Sequence, residues 1–184
     1  MTTIHPQAQI VLDFWYKEEN RAFWFAQSDA FDETIRTQFT ETLQQAMKGE
    51  LYTWRSSIKG RLAEIIVLDQ FSRNIFRGQA QAFAQDSMAL VLSQTAVELP
   101  DYTTLAMNEK QFLLLPYMHS ESALIHQEAV KLFQQMGDDY VLDFEYKHKV
   151  IIDRFGRYPH RNAILGRTST PEEEAFLKEP NSSF

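Results

Sequence analysis

The chain has 184 residues, a formal net charge of −7 and a pI near 5.2. This length predicts a single domain over residues 1–184, and 44% hydrophobic residues are enough to form a packed core. The lack of cysteine excludes disulfides, thiolate metal ligands and cysteine nucleophiles. The acidic balance argues against a nucleic acid partner bound through its phosphates. Because we find no signal peptide and no apolar run of membrane-spanning length, we expect a cytoplasmic protein without a membrane partner.

The first half of the chain predicts three helices separated by aromatic and glycine-containing connections. A first helix is expected over residues 6–16, with proline in its first turn, and residues 20–27 form an aromatic linker. A long helix follows from residue 28 or 29 to residue 48, and Gly49 ends it. The apolar period then predicts a helix over residues 57–73.

The second half predicts five further helices. Two of them cover residues 83–98 and 108–115, the second ending at Pro116. Ser120 is expected to cap a helix that runs to residue 136. A long amphipathic helix over residues 139–155 and a short one over residues 171–178 complete the chain.

Eight or nine helices with short connections and no alternating strand pattern indicate an all-α protein. Antiparallel helix pairs in a bundle or in a solenoid both fit this pattern. We expect residues 180–184 to form a frayed tail.

Residues 145–167 form a basic segment in this acidic chain. It holds six lysines and arginines against two carboxylates. Such a segment either binds an anion or pairs with carboxylates elsewhere in the fold.

Two stretches share the pattern D-x-F-x-R, and each is expected near the end of a helix. Asp69 and Arg73 are four residues apart, and so are Asp153 and Arg157. This spacing places both members of a pair on one helix face and favours an ion pair. The pairs either tie loops to helix ends or orient arginines toward a ligand. The repetition is also compatible with an internal duplication.

Histidines are the candidates for acid–base chemistry because they titrate near neutrality. His148 shares a helix face with apolar residues, which is typical of a hydrogen-bonded core histidine, but a folded-back loop could place His160 beside it. His119 lies near a proline-broken helix and is a better site candidate than His126. Glu121 is explained by the dipole of a first helical turn. No spacing typical of a metal site or a cofactor motif is present, so we expect neither.

Several stretches together resemble a bacterial family known as domain of unknown function 924. They are FWF at 23–25, LDQFSRNIFRG at 68–78, AFAQD at 82–86, LLPYMHSE at 114–121 and FGRYPHRNAILGRTSTPEEEAFL at 155–177. The resemblance covers nearly the whole chain and implies an all-α fold of the tetratricopeptide-like α/α-superhelix type, with no established activity. Tyr158 is a minor departure, since many members have phenylalanine there.

The motif positions implied by this resemblance carry one kind of chemistry: arginine, histidine, asparagine and a few carboxylates. They are Asp69, Gln70, Arg73, Asn74, Arg77, His119, Ser120, Glu121, His148, Arg157, His160, Arg161, Asn162 and Arg167. We hypothesise that the DQFSRN, MHSE and GRYPHRN motifs and His148 converge on one polar pocket.

Three functions follow from this hypothesis. The first is a helical-repeat protein that binds a peptide or a small anionic molecule, through Asp69, Arg73, Asn74, His119, Arg157, Arg161 and Asn162. The second is an enzyme acting on an anionic small molecule, with His160, His148 and Glu121 as candidate catalytic residues. The third is a structural protein without a ligand, in which all these groups satisfy one another.

Overall fold

The computed structural model describes residues 3–180 and 182–183, and these residues form nine α-helices and no strand. The helices are α1 (Pro6–Trp15), α2 (Asp29–Met47), α3 (Ile58–Ile66), α4 (Ser72–Ile75), α5 (Asp86–Val97), α6 (Met107–Met118), α7 (Ala123–Met136), α8 (Asp139–Phe155) and α9 (Pro171–Phe176). The all-α prediction is therefore confirmed. Within the described ranges, no helix combines the length and apolar character needed to cross a membrane.

Most helix ends follow the signals in the sequence. Ser28 caps α2 by accepting a hydrogen bond from the backbone of Phe31 at 3.3 Å. Gly137 and Gly156 end α7 and α8 with φ angles of 82° and 66°, a region that glycine enters without steric cost. A capping box between Thr170 and Glu173 begins α9, as its sequence pattern indicates.

The predicted helix at 57–73 contains a π-helical turn that the sequence did not reveal. The helical run extends from α3 through a π turn at Val67–Phe71 into α4 without a break. All five residues of this turn are buried, including Asp69 and Gln70. Single π turns are frequent at functional sites, because the wider turn re-aims the side chains that follow it.

The prediction that Pro116 ends a helix was wrong. Helix α6 continues through Pro116 to Met118, although proline removes one backbone hydrogen bond. Pro116, Tyr117 and Met118 are all buried, and the carbonyl of Met118 accepts a hydrogen bond from the Tyr158 hydroxyl at 2.5 Å. Burial of these residues and the hydrogen bond from Tyr158 stabilise the last turn of α6, although Pro116 has no backbone N–H to donate.

The predicted cap at Ser120 was also wrong. Helix α7 begins at Ala123, so Ser120 and Glu121 lie in the connection after α6. Glu121 is therefore not in a first helical turn, and the dipole does not explain it. Similarly, α5 begins at Asp86 rather than at residue 83, after a 3₁₀ turn at Ala80–Phe83.

The tail prediction falls partly outside the described residues, because Asn181 and Phe184 are not among them. Within the tail, Ser182 is buried and its hydroxyl donates to the carbonyl of Leu177 at 3.2 Å.

The helices surround one large apolar core, to which α1 to α8 all contribute. Helices α5, α6, α7 and α8 pack successively, each on the next. A smaller apolar cluster fixes the C-terminal segment to the end of α8, and consists of Ile151, Ile152, Tyr158 and Phe176. This packing places residues 156–167 against the connection between α6 and α7.

We predict that Gly60→Ala destabilises the protein, although alanine is the better helix former. A Cβ at Gly60 in α3 would lie 1.9 Å from the backbone carbonyl oxygen of Trp54. The expected loss in the free energy of unfolding is at least about 2 kcal/mol, as for other overpacked sites. Chemical denaturation measures it, with Glu41→Ala at an exposed position of α2 as control. Stability equal to or above that of the native protein would contradict this packing.

Candidate functional site

The basic segment at 145–167 is neutralised by carboxylates. Each of its six lysines and arginines lies within ion-pair distance of one. The pairs are Lys147–Asp143, Lys149–Asp153, Arg154–Glu172, Arg157–Glu173, Arg161–Asp86 and Arg167–Glu121. Internal pairing, one of the two alternatives for this segment, is therefore present throughout.

Asp69, in the π turn, is the centre of a buried polar network. Its Oδ1 contacts Nδ1 of His119 at 2.7 Å and Arg73 at 3.1 Å, and its Oδ2 accepts from Gln70 at 2.5 Å. Burial by itself raises the pKa of Asp69, but Arg73 and His119 outweigh it and hold the pKa well below its usual range. The carboxylate is thus ionised, and the predicted ion pair with Arg73 is confirmed.

Arg73 extends this network to α5. Its guanidinium makes two hydrogen bonds to the carboxylate of Asp86, at 2.9 and 3.1 Å. The same carboxylate accepts one hydrogen bond from Arg161 at 3.2 Å. Asp86 therefore joins the helical run α3–α4 to the segment after α8.

Arg161 is buried, with 6% of its surface exposed, and lies between two aromatic rings. Its guanidinium carbon is 4.5 Å from the ring centre of Phe83 and 4.6 Å from that of Tyr158. Only one of its five N–H donors has a partner among the described residues, which is the carboxylate of Asp86. Nε is fully buried without a partner. A buried cation with unsatisfied donors is unusual and indicates a place for an acceptor.

The connection between α6 and α7 is held by side chains from two other segments. Glu121 accepts from the backbone N–H of Tyr158 at 2.7 Å and makes two bonds with Arg167, at 2.6 and 2.9 Å. Nε2 of His126 donates to the carbonyl of Ser120 at 2.9 Å, while its Nδ1 contacts Glu145 at 2.7 Å. These bonds fix His119, Ser120 and the Glu121 carboxylate in place.

His160 and His148 both contact the ring of Tyr158, with ring centres 5.6 and 5.8 Å away. Burial lowers the pKa of His160 to about 4 and that of His148 to about 3. Nδ1 of His148 donates to the carbonyl of Phe144 at 2.7 Å. Both rings are therefore neutral at pH 7, and proton exchange near neutrality is unfavourable for them.

Three of the predicted ligand-binding residues lie apart from this network. The amide of Asn74 donates to Asp32 of α2 at 2.8 Å. Arg157 makes two bonds with Glu173 of α9, at 2.6 and 2.8 Å, and Asn162 donates to Ser169 at 3.0 Å. Their observed partners connect helices and loops of the protein itself.

The predicted ion pair between Asp153 and Arg157 is absent, because Gly156 lies between them in the left-handed region and turns the chain. Asp153 pairs instead with Lys149, and Arg157 with Glu173. The two D-x-F-x-R stretches thus have different local structures.

A cavity of about 420 Å³ adjoins the network. Six of the residues that line it are polar and six are apolar: Asp86, Ser87, His119, Ser120, Glu121 and Arg161, with Ala80, Phe83, Ala84, Leu90, Pro116 and Leu165. A second cavity, of about 440 Å³, lies beside α2, and its charged residues Lys17 and Glu19 are exposed. Only the first of these two cavities is lined by a buried charge.

The described residues contain no group of three histidines, aspartates or glutamates that could hold a metal ion. The Asp69–His119 pair could orient a ligand or a water molecule, and Arg161 could neutralise an anion.

A family model described as bacterial protein of unknown function (DUF924) matches residues 11–181. The chain belongs to this family. A solved structure of a protein of unknown function from Agrobacterium tumefaciens shares 35% identity with this chain and superposes on it with a TM-score of 0.88. The match covers 94% of this chain and 97% of that chain. No curated protein matches this DUF924 protein.

Sequence reasoning assigned no role at the site to Asp86, Phe83, Tyr158 or His126. Asp86 is the first residue of α5, where a carboxylate is ordinarily explained by the helix dipole. The hydroxyl of Tyr158 is buried and reaches both Met118 and His126. The motif AFAQD and the presence of tyrosine rather than phenylalanine at 158 were the available signals.

We predict that Glu121→Gln makes the stability of this DUF924 protein less sensitive to acid. Burial raises the pKa of Glu121, but the bonds from Arg167 and Tyr158 outweigh it and leave the pKa below its ordinary value. A carboxylate whose pKa is lower in the folded than in the unfolded state stabilises the fold at pH values above the unfolded-state pKa. This stabilisation is lost as the pH falls through the folded-state pKa.

The free energy of unfolding of the native protein should therefore exceed that of Glu121→Gln by about 1–3 kcal/mol at pH 7. The difference should shrink below about pH 4, where the unfolded carboxylate also titrates. Denaturant unfolding at both pH values measures it, and Glu174→Gln, at an exposed position of α9, is the control. A difference independent of pH would refute this account of Glu121.

Proposed function

We propose that this DUF924 protein binds a small anionic molecule in the cavity beside Arg161. The observation that carries the proposal is the state of this guanidinium. It is buried, lines the cavity, and uses one of its donors on a described residue, through a single 3.2 Å bond. Burying a charge with unmade hydrogen bonds is costly, and a bound oxyanion would remove that cost.

The size of the cavity supports a small molecule rather than a peptide. Its volume of about 420 Å³ lies within the ordinary range of small-molecule sites. Its walls are fixed before any ligand enters: Asp86 holds Arg161, Asp69 holds His119, and Arg167 holds Glu121. Preorganised groups reduce the entropy that binding would otherwise cost.

The binding proposal predicts a thermal shift that depends on Arg161. Small carboxylates, phosphates and nucleotides are tested on the native protein, on Arg161→Met and on Arg157→Met. Methionine keeps an apolar side chain between Phe83 and Tyr158 and removes the charge, while Asp86 retains its two bonds to Arg73. A ligand present at 100 times its Kd should raise Tm by about 5 °C or more in the native protein.

Arg157→Met is the matched control, because Arg157 pairs with Glu173 and lies outside the cavity lining. We expect it to keep the ligand-induced shift and Arg161→Met to lose it. If no anion shifts the native protein while Arg161→Met melts far below it, Arg161 is a structural tie and the binding proposal fails.

A second function, hydrolysis of an anionic ester, is favoured by the pairing of His119 with Asp69. Burial and Arg73 lower the pKa of His119, so the imidazole is neutral, and its Nε2 has no partner among the described residues. With Nδ1–H donated to Asp69, Nε2 could take a proton from water as the water oxygen bonds to the ester carbon. The proton would then pass to the departing alcohol. This assigns the base to His119 rather than to His160 or His148.

The catalytic alternative is tested with aryl esters that also carry a carboxylate. Loss of the general base should lower turnover by about 100-fold or more in His119→Gln. Arg157→Met should retain the native rate. Equal turnover in the native protein and His119→Gln, or no turnover of any such ester, rules out this alternative and leaves binding alone.

A further inference from the structure

We propose that the ligand of this cavity is a monocarboxylate with an apolar tail. The inference rests on the proposed function and narrows it to one chemical class. It follows from three features of the cavity: its charge balance, the kind of hydrogen-bonding groups left open, and the apolar residues in the rest of its lining.

The charge balance limits the ligand to a small negative charge. The network pairs three arginines with three carboxylates, so their formal charges balance: Arg73, Arg161 and Arg167 with Asp69, Asp86 and Glu121. Every charge on the ligand is therefore an excess charge in a partly buried site. A second negative charge, as on a phosphate monoester, would face Asp86 and Glu121 at additional cost.

The carboxylates that line the cavity are already occupied. Both oxygens of Asp86 accept hydrogen bonds from Arg73, and one also accepts from Arg161. Both oxygens of Glu121 accept from Arg167, and one also accepts from the backbone of Tyr158. Each carboxylate thus uses three of its about four acceptor sites, which leaves little capacity for an ammonium group and favours a simple acid over an amino acid.

The open polar groups of the lining include donors suited to an oxyanion. Arg161 retains Nη2, whereas its Nε is buried, and the hydroxyls of Ser87 and Ser120 make no hydrogen bond with any described residue. A planar carboxylate accepts from a guanidinium and from hydroxyls at the same time, and needs no acceptor in return. These groups identify where the head of the ligand lies.

The rest of the lining is apolar and suits a hydrocarbon tail. It consists of Ala80, Phe83, Ala84, Leu90, Pro116 and Leu165. A small inorganic anion would leave this wall in contact with water. Each methylene that it buries should contribute about 0.8 kcal/mol, or roughly a fourfold gain in affinity.

The test is a calorimetric titration of the native protein with acetate, butyrate, hexanoate and octanoate, all below their micelle concentrations. Hexyl phosphate and hexylamine have the same tail with a different head, and 1-hexanol has no charge. We expect Kd to fall by about three- to fourfold per methylene from acetate to hexanoate. Hexyl phosphate should bind at least about tenfold more weakly than hexanoate, and hexylamine should not bind measurably.

Two variants separate the head from the tail. Arg161→Met should weaken hexanoate by about tenfold or more and leave the weak affinity for 1-hexanol unchanged. Leu90→Gln should reduce the gain in affinity per methylene along the carboxylate series. Leu124→Gln, at an exposed position of α7, is its matched control and should leave the dependence intact.

Three results would overturn the inference. If hexyl phosphate or inorganic phosphate binds more tightly than hexanoate, the ligand is a phosphate rather than a carboxylate, and the proposal of anion binding stands. Carboxylate affinities that do not depend on chain length would show that the site does not recognise an apolar tail. Binding of no anion at all, or equal binding by Arg161→Met, would defeat the proposed function together with this inference.

Discussion

The buried carboxylate of Asp69 is the charge on which the polar architecture of this protein depends. An ionised group without solvent contact must be compensated by partners, and here they come from separate segments. Arg73 follows it in the same helical run, and His119 reaches it from the end of α6. Arg73 also binds Asp86 of α5, which in turn binds Arg161. Because removal of one member exposes another buried charge, these four segments are fixed relative to one another.

The cavity is the place where this compensation is incomplete. Glu121 and Asp86 have partners for both of their oxygens, whereas Arg161 has unsatisfied donors and lies between the rings of Phe83 and Tyr158. Arg167 also has a buried Nε without a partner, but its other two nitrogens bind Glu121, whereas Arg161 makes a single hydrogen bond to a described residue. The proposal of ligand binding rests on this difference. The same network holds His119, which lines the cavity, with Nδ1 engaged and Nε2 without a partner among the described residues.

Local sequence signals were reliable where the chain is free to follow them and wrong where burial overrides them. Gly49, Gly137 and Gly156 follow the helices predicted to end at residues 48, 136 and 155, because glycine adopts a positive φ without steric cost. Pro116 fails as a stop because the residues after it are buried and bonded to Tyr158. The π turn around Asp69 had no periodic signature in the sequence, since its register depends on how the run packs.

The sequence by itself determined the all-α class, the approximate bounds of most helices and the residue types available for chemistry, since helical periodicity and capping are local. The tertiary structure alone decided which of these residues meet. Arg157 and Arg161 are four residues apart in one motif, yet Arg157 forms an ion pair with Glu173 of α9 and Arg161 lines the cavity. Arg161 and Asp86 are separated by 75 positions. Such pairs are set by how whole helices pack, and no spacing within one segment encodes them.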